Sequence, residues 1–176
     1  MGTMSGDFAG FFAAAWPRLY PMAAAVAGER GAAEDALQAA FAKAYSRWDK
    51  VCAAEHPEAY VRRIVLNEIA GARRYGFARR ERPSEQLPLD GRSHDSPEAD
   101  VVRRDEVLAA LRALPPRQRA VLVLRYYEDL SEAEIARSLG CSRGTVKSQA
   151  SAALASLRRL RPDLVPSGPD ASQEER

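Results

Sequence analysis

The 176-residue sequence predicts an all-α protein, two small helical domains joined by a flexible linker, with a helix-turn-helix in the second. Three observations predict it. Alanine, arginine and leucine dominate, while the alternating β-branched runs of strands are missing. Apolar residues recur at helical spacing in two blocks, 5–82 and 101–162, and the segment between them, PSEQLPLDGRSHDSPEAD from 83 to 100, is rich in Pro, Ser, Asp and Gly with no sustained apolar period. The stretch from Leu130 to Leu160 carries a start or stop signal at nearly every joint. Beyond it, 163–176 reads as a disordered acidic tail, with Asp163, Asp170, Glu174 and Glu175 set among Pro166, Gly168 and Pro169.

In the first block, Phe8, Phe11, Phe12 and Ala15 line one helical face, and Pro17 and Pro21 are expected to interrupt or restart that helix. A second helix, about 32–48, places Leu37, Ala40, Phe41, Ala44, Tyr45 and Trp48 on one stripe and Asp35, Gln38 and Lys43 on the polar face. Pro57 starts a third, PEAYVRRIVLNEIAGARRYGFARRER, with Tyr60, Val61, Ile64, Val65 and Ile69 inward. Arg62 and Arg73, like Arg63 and Arg74, stand eleven residues apart, about three helical turns, and so form a basic stripe suited to a phosphate backbone. Tyr75, Phe77 and Trp48 add aromatic faces on which unpaired bases can stack. Aromatics at this spacing are more often core; Trp48, ending its helix beside a loop, is the expected exception.

The second block opens with a helix over 101–114, followed by the proline-started LPPRQRAVLVLRYYEDLS, where Val121, Leu122, Leu124, Tyr126 and Leu130 are expected to supply core. Ser131 and Glu134 then form a capping box for a short helix with Ile135 and Leu139 inward. Gly140 closes it and Ser142 caps the next helix. That helix has Val146, Ala150, Ala153, Leu154 and Leu157 on one side and Thr145, Ser148, Ser151 and Ala152 on the other, the division a DNA-reading helix needs.

Net charge is only +2, but 101–162 holds 12 basic against 6 acidic residues, a footprint for a polyanion. No apolar segment is long enough to cross a bilayer, so no membrane contact is expected, and FAGFFAAAWPRLY reads as an early helix rather than a secretory signal. Cys52 and Cys141 stand far apart without metal-ligand spacing, which fits a reducing cytoplasm. His56 and His94 are lone residues; neither block holds paired carboxylates, a metal cluster or an activated nucleophile, so the expectation is a non-enzyme without cofactor or metal.

The combination resembles a known family. AAEDALQAAFAKAYSRWD and PEAYVRRIVLNEIAGARR in the first block, and LRALPPRQRAVLVLRYYEDLSEAEIARSLGCSRGTVKSQASAAL in the second, are similar to RNA polymerase sigma factors of the extracytoplasmic-function type; GCSRGTVKSQAS resembles the actinobacterial sigma-E-like branch. The resemblance implies a factor that docks on core RNA polymerase and directs it to promoters. Asp35 and Gln38 would meet the clamp of the largest subunit, and the flap of the second largest is implied as a further contact. Trp48, Asn67, Arg62, Arg63, Arg73 and Arg74 would engage the melted minus 10 element, where extruding a base costs a few kcal/mol of stacking that binding must offset. Ser142, Arg143, Thr145, Lys147, Ser148, Gln149 and Ser151 would read the minus 35 element as duplex. An anti-sigma partner is also implied. Ala39, Leu66 and Ala152 depart from the family pattern, at the clamp-binding helix, the minus 10 helix and the recognition helix. The competing expectation is a stand-alone dimeric helix-turn-helix regulator, which predicts palindromic half-sites and binding without polymerase.

Overall fold

Helical periodicity becomes eight helices, with no strand among the described residues. The computed structural model describes residues 7–79 and 98–163; side chains at 73–79 and 98–104 fall outside that description. The first block comprises α1 (Phe8–Ala27), α2 (Arg30–Tyr45), the short α3 (Trp48–Cys52) and α4 (Pro57–Arg79). The second comprises α5 (Glu98–Arg112), α6 (Pro116–Tyr126), α7 (Glu132–Leu139) and α8 (Arg143–Leu160). Most of the expected linker, and the tail from 164, lie outside the described residues, although α5 begins within the segment expected as linker.

In the first block α1, α2 and α4 pack together, burying Leu19, Met22, Leu37, Phe41, Val61 and Val65. α1 does not break at its prolines, contrary to expectation: both lie inside one continuous helix. Each proline removes one N–H and so frees the carbonyl four residues earlier. Those carbonyls belong to Ala13 and Pro17, both solvent-exposed positions where water can replace the lost partner. α1 ends at Gly28, whose left-handed φ of 81° lets its N–H bond Ala24 O at 2.9 Å.

In the second block α7 and α8 form the expected corner against α6. A smaller buried cluster, Ala110, Leu114, Leu122, Ala153 and Leu157, joins the end of α5 and α8 to α6. Tyr126, expected in this core, is instead 65% exposed at the last residue of α6. Val123 is buried in its stead.

The two blocks are docked. α6 packs on α1 and α7 on α4, and one continuous buried cluster runs from Leu19 and Val65 to Val121, Leu124, Ile135 and Val146. Arg119, 3% exposed, knits this junction. Its Nε donates to Leu111 O at 2.9 Å, Nη2 to Arg112 O at 2.8 Å and to Leu114 O at 3.2 Å, and Nη1 reaches across to Val26 O at 3.3 Å. These carbonyls lie at the C-terminal ends of α1 and α5, where aligned peptide dipoles favour a cation. A Cβ at Gly28 would run into Arg119 Nη1, so glycine there serves both the left-handed turn and the approach of the guanidinium.

Candidate nucleic-acid interface

The corner before α8 is held by caps at both joints. Ser131 Oγ accepts from Glu134 N at 3.3 Å, while Glu134 Oε2 accepts from Ser131 N at 2.9 Å and from Ser131 Oγ at 2.6 Å. Those hydrogen bonds, the hydroxyl first, hold the Glu134 carboxyl below the ordinary carboxylate range. Gly140 takes a left-handed φ of 63°, and Cys141 N bonds Ala136 O at 3.0 Å. Ser142 Oγ then accepts from Thr145 N at 3.1 Å and opens α8.

α8 is anchored by Val146, Ala150, Ala153 and Leu157, all buried. Arg143, Lys147, Ser148, Ser151 and Ala152 are exposed on the other side, with Thr145 and Gln149 half-buried beside them. Three hydroxyls are partly committed: those of Ser142 and Thr145 share a 2.9 Å hydrogen bond, and Ser148 Oγ donates to Thr145 O at 3.0 Å. Glu132, at the start of α7, pairs with Arg125 through one carboxylate oxygen and stands 3.9 Å from Lys147 Nζ with the other. The outer face of α8 is therefore a band of short polar side chains edged by cations.

On α4, Arg63 and Asn67 are exposed one turn apart. Arg62 lies elsewhere: its Nε is 3.1 Å from Glu128 Oε2, an ion pair across the two blocks with both side chains only 13% exposed. The approach is off the N–H axis, so the contact is ionic without being a well-aligned hydrogen bond. Burial pushes the Glu128 carboxyl up against the pull of Arg62. Leu66 is 4% exposed and packs in the core, which explains an apolar residue at that position. The side chains of Arg73 and Arg74 lie outside the described residues.

Trp48 is not the exception that its place beside a loop led us to expect. Its ring stands edge-on to Phe8 at 5.3 Å and tilted to Phe11 at 5.2 Å, and its Nε1 is buried without a partner. The ring is half-buried against these aromatics.

Asp35 and Gln38 are both exposed on α2. Gln38 also lines an open groove of about 510 Å³ with Phe8, Phe12, Trp16, Phe41, Ala42 and Tyr45. This aromatic groove was not singled out from the sequence, although Phe8, Phe12 and Trp16, and Phe41 and Tyr45, recur at intervals of four. Lys43 is exposed, as expected of a solvated face, and from there it pairs with Glu68 of α4 at 2.6 Å.

Comparison with known proteins settles the family. The chain is 39% identical over 150 residues to the RNA polymerase sigma-E factor of Streptomyces coelicolor, covering 82% of this chain and 78% of that protein. It belongs to the extracytoplasmic-function sigma factors of RNA polymerase. The sigma-E factor of Streptomyces antibioticus is 42% identical over 72% of this chain and 68% of its own length. A family model described as Sigma-70, region 4, matches residues 104–157, which run from within α5 to within α8. The fold is shared with the sigma factor RpoE of Bartonella quintana, solved in complex with the anti-sigma factor NepR: TM-score 0.72, 24% identity, 89% of this chain and 98% of that one.

As a sigma factor the protein binds core RNA polymerase and directs promoter-specific initiation, and a stand-alone dimeric regulator is not favoured. The family acts as a non-enzymatic initiation factor. Among the described residues no helix is long and apolar enough to cross a membrane.

Proposed function

We propose a division of labour within the sigma factor. Residues 5–82 form the domain that docks on core polymerase and engages the minus 10 element, 83–100 the linker, 101–162 the domain that reads the minus 35 element, and 163–176 an acidic tail. Asp35 and Gln38 meet the polymerase clamp, with the aromatic groove beside Gln38 taking apolar side chains of the same partner. Arg63 and Asn67, with Trp48, Arg62, Arg73 and Arg74, engage the non-template strand of the minus 10 element. Ser142, Arg143, Thr145, Lys147, Ser148, Gln149 and Ser151 read duplex DNA.

The observation that carries this reading is the two-sidedness of α8, seated by four buried apolar residues with its polar readers turned outward. The protein itself makes and breaks no bond; phosphoryl transfer belongs to the polymerase. It works in the cytoplasm, and an anti-sigma partner, like the one bound to the Bartonella neighbour, restrains it by covering the docking surfaces.

Photocrosslinking tests the division. A benzophenone amino acid placed at 63, and separately at 149, in holoenzyme on promoter DNA is expected to label the non-template strand of the minus 10 element and the minus 35 duplex respectively. Interchanged labelling, or labelling of neither DNA element, would refute it.

A further inference from the structure

The first turn of α7 carries two carboxylates, and its cap uses only one of them. Glu134 completes the capping box with Ser131. Glu132 takes no part in that box and reaches sideways, between two other helices. One of its oxygens accepts from Arg125 Nη2 near the end of α6, and the other stands 3.9 Å from Lys147 Nζ in the second turn of α8. A single carboxylate thus links the helix before the corner to both helices of the corner.

The three charges differ in freedom. Arg125 and Glu132 are half-buried, whereas Lys147 is exposed on the face that carries Arg143 and Ser151 one turn to either side. A lysine ammonium is a point charge on a flexible stem, and unrestrained it follows whichever phosphate is nearest. At 3.9 Å the carboxylate holds the ammonium by charge without taking a hydrogen bond, so the N–H groups can still meet a phosphate oxygen. Arg125 balances the carboxylate, so the site does not repel the polyanion it faces.

We propose that Glu132 is a positioning residue for the duplex-reading helix, holding the Lys147 ammonium over one phosphate so that it adds little affinity for DNA out of register. This rests on reading α8 as the duplex reader, with Lys147 as a phosphate contact. Such contacts carry no sequence information themselves, but they set the register in which base contacts form. A wandering cation stabilises wrong registers along with the right one, and a tethered cation does not.

Holoenzyme containing the full-length chain tests this by competition between two DNA fragments. One is a promoter fragment taken upstream of a mapped transcript start, and the other is the same fragment with its minus 35 element scrambled. The contribution of core polymerase is common to both, as is the general gain from deleting a negative charge, so the ratio of the two affinities reads the positioning. Glu132→Gln keeps the size of the side chain and an oxygen for Arg125, and is expected to lower the ratio about fivefold, chiefly through tighter binding of the scrambled fragment. Glu132→Asp, with the charge kept and its reach shortened, is expected to fall between Glu132→Gln and the native chain. Lys147→Ala is expected to weaken both fragments alike, and Glu132→Gln added to it to leave the ratio unchanged. An undiminished ratio in Glu132→Gln, with both fragments weakened by Lys147→Ala, overturns the positioning and leaves the reading of α8 standing. A fall in ratio as large without Lys147 as with it also overturns the positioning, because Glu132 would then act through another group. No effect of Lys147→Ala on either fragment overturns the phosphate contact and the positioning with it.

Discussion

Replacing Arg119 by alanine would strip four carbonyl oxygens of a charged donor at the junction of α1, α5 and α6. Such buried charged networks typically cost about 3 kcal/mol when one member is removed. Urea unfolding of Arg119→Ala is expected to show a loss of that order, and Arg119→Lys, with one nitrogen where the guanidinium has three, only partial recovery. A change below about 0.5 kcal/mol would contradict the role given to this residue. Nothing in LPPRQRAVL marks Arg119 apart from its neighbours, and it counts among the basic residues of a DNA-binding block until the helix ends at Ala27 and Arg112 are seen to converge on it. Tyr126 was misplaced for the complementary reason, and Trp48 sits between core and surface, half-buried. A ring at helical spacing is compatible with core or surface, and only the packing of α1 beside the start of α3 and the end of α6 decide which.

At the scale of the element, α7 and α8 were the most legible part of the chain, because each joint has its own chemical mark: Ser131 with Glu134, Gly140, Ser142. Ser131→Ala is expected to destabilise the second block by about 1 kcal/mol, read by thermal unfolding. The lowered Glu134 carboxyl gives the cap a sign with pH. Its contribution is complete above the ordinary carboxylate range and is lost as pH falls through the lower folded-state value, so Ser131→Ala and the native chain should converge in acid. On the outer face, Gln149→Ala is expected to relax discrimination at one minus 35 position by about 1–3 kcal/mol, whereas Lys147→Ala should weaken all sequences alike and lower the salt dependence by about one counterion. A selection experiment over randomised minus 35 duplexes at two salt concentrations separates the two; identical profiles would contradict the assignment. α1 was less legible, since its prolines signal a break wherever water cannot reach the freed carbonyls, and exposure is a property of the assembled bundle.

For the whole molecule, docking of the blocks had no counterpart in the sequence: the segment between them reads as a spacer whatever the blocks do. It makes one pH prediction. Glu128 faces Arg62, Arg18 and Glu58, and burial, the largest influence, raises its carboxyl above the usual range. The docked form therefore binds a proton more readily than the parted form, and docking should strengthen as pH falls from neutral to about 5. Dye-pair separation across that interval should decrease, and Glu128→Gln should remove the dependence; an increase in separation would contradict the account of the junction.

The central claim is that one chain joins polymerase docking to promoter choice. Transcription with purified core polymerase on a library of genomic fragments, with transcript starts mapped, tests it most directly. The expected result is a defined set of starts, each preceded by the same pair of elements at constant spacing and lost on combining Asp35→Ala with Gln38→Ala. Starts indistinguishable from those of core enzyme alone, with no complex between the chain and core, would contradict it.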